Sequence, residues 1–207
     1  LHPEATFLLT RISVHLKDTS NLPTIGRSLA MLSSQRNKTG IEAIRHMTLL
    51  HLLSPLSPKS LDRCLELLEA NSHSQQIDFL RICALKHASA KNDKQRSQIV
   101  FYCSELFDLN DNTEVVIFNR WLARLGAFNA VLEFLPASKA KVDEELFKLR
   151  MNALAQMNNL ERIHEEINNA PIIPSRWRLV VEARAYSMDG NFKDASKSLD
   201  RLLPILG

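Results

Sequence analysis

The residues best able to do chemistry in this sequence are its paired acids, histidines and cysteines. Glu144-Glu145 and Glu165-Glu166 are adjacent carboxylates, the material of general acid–base catalysis. On a helix, however, neighbours point about 100° apart, so neither pair converges on one substrate. Glu144-Glu145 suits a first helical turn, where acids complement the dipole, and both pairs are expected as solvated helix charge. Among the seven histidines, His46 and His51 are five apart and miss the i, i+4 spacing a helical metal pair needs. Cys83 and His87 have that spacing but no third ligand near them in sequence, so no metal and no cofactor is expected. Three cysteines (Cys64, Cys83, Cys103) form neither an even set nor a CxxC motif. They are expected as buried free thiols, which slightly favours a reducing, cytoplasmic environment. There is no GxGxxG, P-loop, GxSxG or HExxH, and glycines 26, 40, 126, 190 and 207 stand singly, so no phosphate cradle forms. The chain is therefore expected not to be an enzyme.

The elements that position these residues are helical. The 207 residues are 45% hydrophobic and 24% charged, which excludes wholesale disorder. Only 5 Gly, 8 Pro and 6% aromatics occur, too few turn formers for an all-β sandwich or barrel. Leu61, Cys64, Leu65 and Leu68 recur at i, i+3, i+4 and i+7, as do Phe118, Trp121, Leu122 and Leu125. No stretch alternates as a strand does. Breaks at Thr19–Pro23, Asn37–Gly40 (a glycine stop signal) and Ser54–Pro58 (Ser57 as N-cap, Pro58 at N1) open the series. Further breaks, ending with Pro171–Pro174 and Asp189–Asn191, predict about twelve helices of about 10–16 residues. No apolar run reaches 18 residues, so no membrane span is expected. The chain opens on Leu1 and is expected to be part of a longer protein.

Breaks and apolar positions then repeat at a fixed distance. Leu125-Gly126-Ala127-Phe128, Met157-Asn158-Asn159-Leu160 and Asp189-Gly190-Asn191-Phe192 each precede a helix, 32 residues apart. In step with them align Val131, Ile163 and Ala195; Leu135, Ile167 and Leu199; Val115, Phe147 and Leu179; and Leu122, Leu154 and Tyr186. One helix pair cannot bury its own apolar face, whereas stacked pairs share a core. We read one helical-repeat domain over residues 1–207, irregular over 1–74 and more regular over 75–207.

The turn after the first helix of each pair, in Leu125-Gly126-Ala127-Phe128-Asn129-Ala130-Val131 and Asp189-Gly190-Asn191-Phe192-Lys193-Asp194-Ala195, resembles the tetratricopeptide repeat family. The resemblance covers residues 112–207, and 75–108 more weakly. Asn119 and Met151 stand where the family has a small residue, as Ala183 does, and Arg150 and Glu182 stand where it has an apolar one. The resemblance implies a right-handed α-solenoid of about six antiparallel helix pairs of about 34 residues. It also implies a concave face on the first helices that grips an extended peptide. Carried onto this sequence, that face holds Val116, Arg120 and Arg124; Lys148, Asn152 and Gln156; and Val180 and Arg184. Arg120, Asn152 and Arg184 are equivalent positions of three copies.

The expected function is a non-catalytic scaffold that binds a protein or peptide, with an acidic partner suited to this column. Trp177, in Ser175-Arg176-Trp177-Arg178, lies off the aligned register and is either an exposed anchor for a partner or packed against the Pro171–Pro174 loop. A nucleic-acid-binding repeat is the alternative. Net charge is only +3, carried as +4 on residues 1–60 and −1 on the rest, so it is not favoured. An architectural role is the other alternative, with self-association through the apolar end Leu202-Leu203-Pro204-Ile205-Leu206.

Overall fold

The computed structural model of the chain describes residues 2–170 and 173–206. Among them the fold is all-α, with thirteen helices and no strand. The helices divide into two compact units, Leu1–Leu106 and Phe107–Gly207.

In the first unit, α1 (Pro3–Leu16), α2 (Leu22–Ser33) and α3 (Lys38–Leu50) pack on one another, α5 (Gln76–Ser89) packs between α4 (Pro58–Glu69) and α6 (Asp93–Ser104), and α3 also touches α5. Ile25, Leu29, Leu32, Ala43 and Leu50 form a core that Phe7, Leu9 and Met47 extend. Ser57 caps α4 as expected, accepting the Ser60 amide proton with Pro58 in the first turn. The Asn37–Gly40 break has the opposite sense from the one expected. α2 has already ended at Ser33, and Gly40 lies in the first turn of α3, donating its N–H to the Asn37 cap. Glycine is required there for space, because a Cβ would sit 1.9 Å from the Gln35 carbonyl oxygen. Asn71 Nδ2 donates to that oxygen and to the carbonyl of Asn37, tying the end of α4 to the α2–α3 turn. Arg45 of α3 makes a two-pronged bond to the buried Asp78 of α5, whose carboxylate also accepts the Gln75 amide.

The second unit holds α7 (Asn112–Arg124), α8 (Phe128–Phe134), α9 (Ala137–Ala140), α10 (Glu144–Gln156), α11 (Leu160–Asn168), α12 (Ser175–Met188) and α13 (Phe192–Leu206). α8 is shorter than the periodicity predicts, because Pro136 pushes Leu135 out of helical conformation and the short α9 follows. Three helix hairpins result: α7–α8, α10–α11 and α12–α13. Their turns are the same turn. Gly126, Asn158 and Gly190 have φ of 71°, 54° and 74°. The next residue in each, Ala127, Asn159 and Asn191, donates its N–H to the carbonyl of Leu122, Leu154 and Tyr186 at 3.0, 3.0 and 2.9 Å. This six-residue closure satisfies a helix-end carbonyl and needs a left-handed residue, which glycine and asparagine adopt at least cost. The 32-residue period is thus a period of backbone conformation.

Side-chain contacts keep the same period. Within each hairpin one position of the first helix meets one of the second. Phe118 meets Phe134 edge-on at 5.2 Å. Arg150 meets Glu166 with two bonds of 2.6 and 2.7 Å. Glu182 accepts from Ser198 at 2.9 Å. Consecutive hairpins pack through α8 on α10 and α11 on α12, and the first helices also touch, α7 on α10 and α10 on α12.

Candidate functional site

The residues that the family resemblance assigns to a peptide-gripping face lie on α7, α10 and α12. Asp111 and Asp143 cap the first two helices at equivalent positions, each accepting backbone N–H bonds in the first turn. Val115, Phe147 and Leu179, with Asn119, Met151 and Ala183, turn inward and are buried, so the remaining face carries the polar column. Along it the side chains divide into two groups. Arg124, Gln156 and Arg184 are exposed and Asn152 is half-buried, and none of the four makes an ion pair or side-chain hydrogen bond among the described residues. Arg120 and Lys148, by contrast, are engaged by the protein itself. Arg120 is paired with Glu145 of the next hairpin. Lys148 Nζ donates to Glu144 at 2.7 Å.

Lys148 also covers Trp177. Its Nζ stands 3.3 Å from the ring centroid, a cation–π contact from α10 to α12, with the Arg176 guanidinium 5.7 Å away. The ring packs against the cluster of Met151, Ala155, Ile173 and Ala185, and its Nε1 is buried without a partner. Trp177 is therefore not an exposed anchor but a half-buried strut between hairpins, since the core and the lysine occupy its faces. Of the loop it was also expected to meet, Pro171 and Ile172 lie outside the described residues.

Sequence reasoning missed the buried charge beside this face. Arg150 is fully buried. It donates Nε and Nη2 to Glu166 and Nη1 to the carbonyls of Leu132 and Leu135 at 3.2 and 2.6 Å. Glu166, expected as solvated charge, is nearly buried and also accepts from Arg162 at 3.1 Å. Arg150, Glu166, Arg162 and the two carbonyls tie α10 to α11 and to the end of α8. A cleft of about 530 Å³ opens beside them, lined by Ser138, Lys141, Arg162, Glu165 and Asn169. The available signal was the repeat: positions 150 and 166 are the equivalents of the ring pair at 118 and 134.

In the first unit a cleft of about 560 Å³ lies among α4, α5 and α6, with Asp62, Cys83, Lys86, Gln98 and Tyr102 in its wall. Lys86 is paired with Asp62 at 2.6 Å. The Tyr102 hydroxyl donates to Glu69 at 2.6 Å, and burial first, then that bond, raises its pKa. All three cysteines are buried free thiols. Burial pushes Cys64 up to about 11, and a hydrogen bond with the Cys83 thiol, then burial, raises Cys103. These shifts hold Cys64 and Cys103 in the thiol form, away from the thiolate that nucleophilic chemistry needs. Among the described residues no group of three histidine, cysteine or acidic side chains could hold a metal ion. No helix among them is long and apolar enough to cross a membrane. Compared with known proteins, the chain matches no family model, no curated protein and no solved structure.

Proposed function

We propose that this chain is a non-catalytic, tetratricopeptide-like helical-repeat scaffold that captures an acidic segment of a partner protein along the first helices of its hairpins. In this reading the hairpins stack as a right-handed α-solenoid, with α7, α10 and α12 lining the concave side. The observation that carries it is the left-handed turn shared by Gly126, Asn158 and Gly190, together with the contacts of α7 with α10 and of α10 with α12. Arg124 and Arg184 are the cations left for a ligand, with Asn152 and Gln156 as uncharged hydrogen-bonding groups beside them. Arg120 and Lys148 take part only by exchanging their own glutamates for those of the ligand, so Glu144 and Glu145 stand in for the acidic segment until it arrives.

The experiment is affinity capture from source-cell lysate with wild type and with Arg124→Glu/Arg184→Glu. Both substituted residues are exposed and unpaired, so helicity by circular dichroism stays unchanged. A protein held by the wild type and lost by the variant is the expected result. Equal capture by both baits, or retention of nucleic acid alone, overturns the assignment.

A further inference from the structure

The cleft of about 560 Å³ in the first unit has two unlike ends. α5 packs between α4 and α6, and all three helices line it. The pairings Asp62–Lys86, Lys91–Gln95, Glu69–Tyr102 and Cys83–Cys103 fix how the residues run along it. One end is formed by Leu65 and Cys83, both buried, and by Tyr102, with Ile99 beside them. The Tyr102 hydroxyl donates to Glu69, so its ring is the part left to the cleft, and Glu69 repels an anion from that end. The other end is formed by Lys91 and Gln95, with Asp62, Lys86 and Gln98 between the two. The charged residues in the wall are Asp62, Lys86 and Lys91, two cations and one anion, which leaves one positive charge in excess. The side chains of Lys91 and Gln98 make no ion pair or side-chain hydrogen bond among the described residues.

An apolar end and a cationic end complement an amphipathic anion, and the volume lies within the roughly 300–1,000 Å³ of small-molecule sites. We propose that this cleft binds a small carboxylic acid with one apolar chain of about eight to ten carbons, its tail against Leu65, Ile99 and Tyr102 and its carboxylate on Lys86 and Lys91. From Cys83 to Ser89 the cleft follows α5 for ~9 Å of helix axis, the reach of about eight carbons. Asp62 now holds Lys86 at 2.6 Å, but the Asp62 side chain is 57% exposed. A pair open to water on that side is weakly held, so the carboxylate of the ligand replaces that of Asp62. The Gln98 amide supplies a further N–H donor between the lysines and the apolar end. The cleft belongs to the first unit and Arg124 and Arg184 to the second, so neither proposal rests on the other.

The test titrates the full chain with sodium octanoate and sodium decanoate, followed by calorimetry and by methyl NMR. Saturable binding is expected, at least fourfold tighter for decanoate because two more CH₂ groups leave water. The methyl signals of Leu65 and Ile99 should move while those of Ile163 and Ile167 in the second unit stay in place. Octan-1-ol, with the tail but no charge, and acetate, with the charge but no tail, should each bind at least tenfold more weakly than octanoate. Lys86→Gln/Lys91→Gln should weaken octanoate at least tenfold with helicity by circular dichroism unchanged. Asp62→Asn breaks the same ion pair but should tighten octanoate severalfold, because it removes the competing carboxylate. Opposite signs separate a ligand site from a pair that merely joins α4 to α5. No saturation below ~10 mM octanoate, octan-1-ol binding as tightly as octanoate, or both variants shifting affinity in the same direction overturns the proposal.

Discussion

Removing either partner of the Arg150–Glu166 pair should destabilise the second unit more than removing both. Arg150→Met strands a nearly buried carboxylate with only Arg162 beside it and leaves the Leu132 and Leu135 carbonyls without their donor. Breaking a buried pair costs about 3–5 kcal/mol, and each unsatisfied carbonyl adds roughly 1. The remaining Arg162 bond moderates the charge cost, which brings the expected loss to about 4 kcal/mol. Glu166→Leu leaves the guanidinium buried but still bonded to two carbonyls, for about 3 kcal/mol. The double variant Arg150→Met/Glu166→Leu puts two apolar side chains where the preceding hairpin has Phe118 and Phe134, so only the carbonyl loss of about 1–2 kcal/mol remains. Both tryptophans of the chain, Trp121 and Trp177, lie in the second unit, so their fluorescence follows its thermal unfolding alone. For a unit of this size each single variant should lower the midpoint by roughly 10–20 °C, and the double by less than either. Single variants within about 1 kcal/mol of wild type, or a double as costly as the two singles added, would refute the reasoning.

Gly126→Ala and Gly190→Ala should each cost about 1 kcal/mol in urea unfolding, and Asn158→Gly should gain a few tenths, because all three positions are left-handed. A gain on Gly190→Ala would contradict the shared turn. Gly40→Ala should cost at least about 2 kcal/mol, since its Cβ meets the Gln35 carbonyl oxygen, which is backbone and cannot step aside; a neutral result would mean the α2–α3 turn is built differently. Burial holds the pKa of His46 below its ordinary value, so the unfolded chain binds the proton more readily. Stability is then complete above about pH 6.5 and falls as the pH drops below it. His46→Phe should flatten that decline without abolishing it, because burial lowers His87 as well; an unchanged slope in denaturant titrations at about pH 7 and 5 would sink the assignment.

That this chain is all-α, and that its last three hairpins repeat every 32 residues, was legible in the sequence because both properties are local. Apolar spacing decides which face of a helix is buried, and a glycine or asparagine at a fixed offset decides where the chain reverses. Ser57-Pro58 was legible for the same reason, being a cap chemistry complete within four residues. Asn37–Gly40 was legible only as a break. Whether Gly40 ends one helix or begins another depends on the Gln35 carbonyl and on Asn71, which arrives from α4. The rest waited on packing between elements distant in the chain. Arg150 and Glu166 each look like surface charge until the hairpin closes and α8 supplies two carbonyls. Trp177 looks like an anchor until Lys148 of the neighbouring hairpin lies on its ring. Leu135, Ile167 and Leu199 are the same repeat position with the same chemistry. Two are buried and one is bare, because burial belongs to whatever packs alongside, and a periodic sequence carries no mark of that.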